Sequence, residues 1–373
     1  MRVLHVAACY PPTWAYGGIP RAVHALVRAQ RARGIQARVW TTDAFDATRR
    51  APVPPLHLLD GVPVRVARNL SNRLAWRHQL YVPLGAAPDL SDVDLVHLHG
   101  HRHLLNGRAW RAARARGLPV VLTGHGTVPA LERKTVLKRV WDPLVDGDVP
   151  RRADAVIACS RAEVRQLLAC GVAADRIERI PNGMWMPEFS ELPPRGTARA
   201  RWGLGHGPLV VYLGQITPRK RVDALVEAFR APSGVTLALA GPVRGMSLPD
   251  GVRALGVLEG PERLALLVDA DVLVYPSSDE VFGLVPLEGL LCGVPVVVGD
   301  DCGCGEIVAE AGAGVLVDGS PARIRQAVEG LLADPARASA CVARGRAWIA
   351  AHLDAGVVAD AHMRLYRRLL ERS

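Results

Sequence analysis

Apolar residues along this chain fall into two recurring patterns. Continuous runs at residues 3–8, 39–42, 94–98, 120–123, 155–158 and 177–180 show little polar alternation, as expected of strands buried on both faces of a parallel sheet. Between them lie stretches whose apolar positions repeat with helical spacing, most clearly 19–33, which Gly34 closes. The alternation restarts in the second half: 209–213, 237–240, 272–275, 294–298 and 314–317 predict strands, while 222–229, 261–270 and the basic tail 337–372 predict helices. Strands and helices in turn predict βαβ units in an α/β protein with doubly wound parallel sheets. Residues 49–90 break the pattern, being rich in Pro and Arg, with only 64–66 reading as a strand.

A chain of 373 residues is too long for one core of ordinary size. Pro187, Pro193, Pro194, Gly196, Gly203, Gly205 and Gly207 mark 186–207 as a linker with one helical turn, between domains at 1–185 and 208–345. No run of about 18 apolar residues is present, so no membrane-spanning helix is expected. The opening residues MRVLHVAACYPP read as a first strand rather than a secretion signal, which predicts a cytoplasmic protein. Seven cysteines, spread mostly through apolar segments, predict reduced and buried thiols.

Charge is unevenly divided. Residues 1–190 hold 27 Lys and Arg against 15 Asp and Glu, and the remainder holds 19 against 21. A basic half suits nucleic acid, an anionic membrane or a phosphorylated substrate. No nucleic-acid motif accompanies it and aromatics are only 5% of residues, so nucleic acid is not expected as a partner.

The candidate chemistry gathers where strands end, which is where ligands of such sheets bind. After the run 272–275, Pro286 suits a first helical turn, Gly293 a helix stop, and Pro295 forbids continuation, giving a βαβ unit. Free N–H groups at that helix start, around Gly283, Leu284 and Val285, attract phosphate. Glu280 and Glu288 flank them and suit sugar hydroxyls, so the ligand expected carries both phosphate and polyol. Gly17-Gly18 precedes the first helix without a G-x-G-x-x-G pattern, which argues against a dinucleotide dehydrogenase. The run 120–123 delivers Gly124-His125-Gly126-Thr127, a histidine between glycines that let the backbone approach a ligand. His97, His99, His101 and His103 alternate, yet neither a carboxylate nor a Cys completes a metal set with them, and Cys302-Gly-Cys304 lacks a second ligand pair nearby. No bound metal is expected.

The segment Glu280-Val-Phe-Gly-Leu-Val-Pro-Leu-Glu288 resembles the E-x7-E signature of the retaining glycosyltransferases of group one, family four, and the resemblance runs over nearly the whole chain. It implies the GT-B fold, two Rossmann-like domains with a cleft between them, and a C-terminal segment, 346–373, that recrosses to the first domain. It implies that Glu280 meets donor-sugar hydroxyls, that Glu288 holds the ribose, and that the Gly283, Leu284 and Val285 amides meet the diphosphate. His125 corresponds to the histidine that contacts the donor sugar, and the Gly17-Gly18 loop to the one that approaches donor phosphates. Lys220 matches the diphosphate-binding lysine. Gln215 stands where the family has Arg, a charge that Arg219 is placed to supply. Arg21, His99 and His101 are the acceptor-side candidates. Further departures are Val281 in place of Gly, and the absence of the Pro that usually precedes Glu306.

The implied activity transfers a hexose-type sugar from a nucleotide-diphosphate sugar to a saccharide or lipid-linked acceptor, in cell-surface polysaccharide or glycoconjugate synthesis. It needs no cofactor. His125, Lys220 and Glu280 are the catalytic set, and the leaving phosphate takes the acceptor's proton. A nucleotide-sugar epimerase and a noncatalytic nucleotide-sugar scaffold remain open alternatives on the same fold. The basic half predicts an anionic acceptor or peripheral attachment to the inner face of the plasma membrane, through the arginines of 49–77 and the basic stretch 133–139.

Overall fold

The computed structural model describes residues 1–14, 16–129, 148–230, 234–278 and 280–372. The basic stretch 133–139 lies outside them. The chain forms two compact units, one of Met1–Met184 with Leu353–Ser373 and one of Trp185–His352.

The first unit is built on an eight-stranded sheet. Its strands are β1 Arg2–Ala7, β2 Gln36–Thr42, β3 Leu56–Leu59, β4 Val62–Ala67, β5 Leu95–His99, β6 Val120–Thr123, β7 Ala155–Ala158 and β8 Ile177–Arg179. Their order is β3-β4-β2-β1-β5-β6-β7-β8, and every pairing is parallel except β3 with β4. Alternation along the strands sorts the core into two layers. Leu4, Val6, Val96, Leu98, Val120 and Leu122 pack with Leu105, Ala109 and Trp110 of the helix Leu104–Arg114. Val3, Leu95 and Val121 point the other way, with Val23 and Val27 of the helix Gly18–Ala32 and Tyr366 and Leu369 of the helix Ala355–Leu370. His5, His97, His99 and Thr123 share the parity of this second set, so they lie beneath those two helices.

The second unit carries six parallel strands: β9 Leu209–Leu213, β10 Thr236–Ala240, β11 Arg253–Ala254, β12 Val272–Tyr275, β13 Val296–Gly299 and β14 Gly314–Val317. Their order is β11-β10-β9-β12-β13-β14. Between β12 and β13 runs the helix Leu284–Cys292, closed by Gly293 in the left-handed conformation.

Three sequence expectations are corrected. Residues 49–90 are not irregular: β3, β4 and the helix Asn72–His78 lie there, and β3 escapes detection because it is a short edge strand whose Leu56 and Leu58 face solvent. The tail is not one helix. Pro335–His352 and Ala355–Leu370 are separate, with Asp354 accepting from Gly356 N–H at 2.7 Å to cap the second, and the return to the first unit starts at Leu353 rather than 346. Residues 186–207 are part of the second unit and hold a short turn, Met186–Phe189, and the helix Thr197–Trp202.

Candidate active site

In the second unit the loop 280–283 and the turn Pro218–Lys220 come together. The Lys220 ammonium, 7% exposed, forms an ion pair with the Glu280 carboxylate. Tyr275 at the end of β12 is their shared wall: its hydroxyl donates to Glu280 Oε2 at 3.2 Å, and Lys220 Nζ lies 6.0 Å from the ring centroid. Burial pushes the Tyr275 phenol well up, so it is a neutral donor to Glu280. The turn itself is set by Thr217, whose hydroxyl accepts from Lys220 N–H at 3.3 Å.

The helix Leu284–Cys292 begins at Gly283, and no side chain among the described residues caps it. Gly283 has φ of 73°, and a Cβ there would lie 2.8 Å from Cys304 Sγ and 3.3 Å from the Tyr275 ring. Glycine is therefore required on both backbone and steric grounds. With Pro286 lacking an N–H, the first-turn donors are the Leu284 and Val285 amides, and donors of this kind suit an anion. Val281, the departure from the family pattern, is buried, and Gly303 holds the loop by donating its N–H to Glu280 O at 2.6 Å. Any Cβ at Gly303 would fall 1.9 Å from Val281 O.

Glu288, 3% exposed, is ion-paired with a residue that sequence reasoning missed. Arg263, on the helix Gly260–Asp269, reaches Glu288 Oε2 at 2.5 Å and Glu188 Oε1 at 2.5 Å while itself only 1% exposed. Burial opposes its charge, but Glu288 and Glu188 outweigh burial and hold the guanidinium above its ordinary range. A signal existed: Arg263 shares the apolar stripe with Leu266, Leu267 and Ala270, an unusual place for an unpaired arginine. Gln215 offers its carbonyl to the Tyr212 hydroxyl at 2.8 Å, Arg219 is exposed, and Arg221 is paired with Asp301 at 2.6 Å.

In the first unit His125 follows β6 with φ of 49°, a conformation that a non-glycine residue holds only when its surroundings enforce it. The enforcing group is Glu163, which accepts from Gly126 N–H at 2.6 Å and Cys159 N–H at 2.7 Å. Ser160 accepts from the Glu163 N–H at 3.2 Å, as an N-cap does, while the Glu163 side chain supports the histidine loop. His125 bonds His99 Nδ1 at 3.2 Å and has Cys159 Sγ 3.9 Å from its Nδ1. Burial brings its pKa down to about 3, so the ring is neutral. A small cavity lies against His125, His99, Asn182 and His362, closed by Ala22 and Leu26 of the helix Gly18–Ala32. Gly17 caps that helix with φ of 99°, Gly17 and Gly18 are exposed, and the Arg21 guanidinium lies 5.1 Å from the Trp14 ring centroid.

His99 and His101, the acceptor-side candidates on this strand and its following loop, are both buried. His99 has each ring nitrogen engaged, with His5 at 3.0 Å and His125 at 3.2 Å, while the His101 backbone N–H donates to Thr127 Oγ1 at 2.7 Å. Ring nitrogens of His5, His97 and His99 lie within 4.8 Å of one another, close enough for a metal. All are already hydrogen-bonded, His97 to Tyr366 at 2.6 Å and Thr123 at 2.7 Å, His5 to Gln30 at 2.8 Å, so they form a network rather than an open ligand set.

The family model described as Glycosyltransferase Family 4 matches residues 16–184, and that described as Glycosyl transferases group 1 matches residues 195–348. The D-inositol 3-phosphate glycosyltransferase of Segniliparus rotundus is 31% identical over 335 residues, covering 82% of this chain and 69% of its own length. That of Acidothermus cellulolyticus is 32% identical, covering 86% and 78%. Among solved structures, the sucrose-phosphate synthase of Thermosynechococcus elongatus superposes with a TM-score of 0.74 at 23% identity, over 100% of both chains. Anabaena HepE in complex with UDP-glucose does so with 0.75 at 20% identity, again over 100% of both. Likeness at this identity shows the fold, which is GT-B.

Proposed function

The chain belongs to the group 1 glycosyltransferases of family 4, and we propose that it transfers a sugar with retention from a nucleotide-diphosphate donor to an anionic saccharide or polyol, using its own cations in place of a metal. As the bond from the anomeric carbon to phosphate ionises, negative charge gathers on the departing diphosphate. Lys220 and the Leu284 and Val285 amides meet that charge, and fixed positive groups are the largest single catalytic contribution in many enzymes. Glu280, paired with Lys220 and anchored by Tyr275, accepts from sugar hydroxyls. Glu288, held by Arg263, accepts from the ribose. The acceptor oxygen bonds to the anomeric carbon on the face the phosphate leaves, and its proton passes to a phosphate oxygen, so no protein base is needed.

The observation that carries this reading is the Lys220–Glu280 pair beside the uncapped start at Gly283. The acceptor assignment is supported by the basic character of residues 1–190 and by relatives named as D-inositol 3-phosphate glycosyltransferases. Exposed Arg65, Arg68, Arg73 and Arg77 stand among exposed Leu70 and Leu74, a combination that suits an anionic bilayer surface. No helix among the described residues is long and apolar enough to cross a membrane. The epimerase and scaffold readings find no counterpart among these relatives.

The test incubates purified protein with a panel of nucleotide sugars, with and without a phosphorylated polyol, and follows free nucleoside diphosphate. Release that rises with the polyol and survives a chelator is expected. No release with any donor overturns catalysis; loss in chelator, restored by manganese, overturns metal independence.

A further inference from the structure

We propose that Gln30, on the helix Gly18–Ala32, is a positioning residue that sets which ring nitrogen of His125 carries the proton, acting through His5 and His99. The hydrogen bonds form one unbranched line: Gln30 Oε1 to His5 Nε2 at 2.8 Å, His5 Nδ1 to His99 Nε2 at 3.0 Å, and His99 Nδ1 to His125 Nε2 at 3.2 Å. An amide oxygen only accepts, so His5 must donate from Nε2. A neutral imidazole has one N–H, which leaves His5 Nδ1 as an acceptor and obliges His99 to donate from Nε2. By the same step His99 Nδ1 accepts and His125 donates from Nε2. The remaining nitrogen of His125, Nδ1, therefore holds a lone pair.

Neutrality of every member is what makes the proton count forced. Gln30, His5 and His99 are at most 2% exposed, burial holds His5 at about 3, and His99 lies well below its ordinary value for the same reason. The Gln30 amide is itself oriented, because its Nε2 donates to the Tyr366 hydroxyl at 3.3 Å. The same hydroxyl is hydrogen-bonded to His97 Nδ1 at 2.6 Å, and His97 Nε2 to Thr123 Oγ1 at 2.7 Å. Turning the Gln30 amide over would reverse every bond in the line and place the His125 proton on Nδ1. The consequence for the sugar rests on the proposed function: with Nδ1 as an acceptor, His125 welcomes a hydroxyl that donates and disfavours a carboxylate at the same place.

The experiment is nitrogen-15 NMR of the full chain with labelled histidine, His125 being assigned by its loss in His125→Ala. The wild type is expected to show His125 protonated at Nε2. In Gln30→Leu both His125 resonances should move toward the averaged position of a tautomer mixture, with the amide spectrum otherwise that of the folded protein. Should Gln30→Leu not fold, Tyr366→Phe, which keeps the ring and removes only the hydroxyl that orients Gln30, should move them the same way. A wild-type His125 protonated at Nδ1, or a tautomer unmoved in a folded variant, overturns the relay. Full donor turnover by His125→Ala would instead overturn the placing of His125 beside the sugar and leave the relay standing.

Discussion

The two units treat buried polar groups in opposite ways. In the second, burial is combined with opposite charge: Lys220 faces Glu280, and Arg263 sits between Glu288 and Glu188. In the first, the rings of His5, His97 and His99 are buried among uncharged hydrogen-bond partners, and burial keeps each ring neutral. The physical rule is the same in both places. A counter-charge favours the ionised form of a buried group, and without one burial favours the neutral form, which hydrogen bonds then satisfy. In the proposed reaction, charge is kept where the diphosphate would depart, and neutral directionality where a hydroxyl would be recognised.

Acid should separate the units most strongly. His5 titrates at about 3 when folded, against 6.5 unfolded, so between these values the unfolded chain binds more protons and stability falls as pH falls. Each fully buried histidine should remove about 1.4 kcal/mol per pH unit in that window, and His97 and His99 act in the same direction. Hydrogen-exchange mass spectrometry at pH 5 should find β1 and β5 opening while β12 and β13 stay protected; equal protection in all four would remove the contrast.

Next in size is Lys220→Ala, expected to lower kcat roughly a hundredfold or more while Lys220→Arg retains part of it. If steady-state kinetics put Lys220→Ala within twofold of wild type, Arg219 is the phosphate ligand instead. Glu288→Ala should cost about 3 kcal/mol of stability by stranding part of the Arg263 charge, and about 1.5–3 kcal/mol of nucleotide affinity. Adding Arg263→Leu should restore the stability seen in urea unfolding but not the affinity seen by calorimetry; recovery of both would make Glu288 a purely structural partner. The smallest effect concerns the surface arginines. Replacing Arg65, Arg68, Arg73 and Arg77 singly by alanine should each weaken co-sedimentation with anionic vesicles by about 1 kcal/mol at low salt. Indifference of the wild type to such vesicles would end the membrane proposal and leave the transfer chemistry untouched.

Much of the fold could be read in advance because it is local. A parallel strand buried on both faces announces itself as an unbroken apolar run, and helix ends are written in neighbours such as Gly283, Pro286 and Gly293. The acidic pair, the histidine between glycines and the lysine turn were legible for the same reason: each sits at a strand end within its own βαβ unit. Edge strand β3 was not, since its solvent-facing leucines resemble a loop that happens to be apolar.

What local pattern cannot carry is pairing between distant residues. His5 and His99 are 94 positions apart, and His97 and Tyr366 are 269 apart. They meet because β1 pairs with β5 in a register that sets His5 against His97, and because the last helix packs over that same face. The alternation of histidines from 97 to 103 therefore did not reveal that the sheet sets His97 and His99 in one buried network. Arg263 and Glu288 likewise belong to different helices, and only their packing makes one the counter-ion of the other. Residue types and spacings specified the elements and the chemistry within reach of each. Which groups are desolvated together, and hence which protonation states they hold, followed from long-range packing, since burial and hydrogen-bond direction belong to the assembled unit.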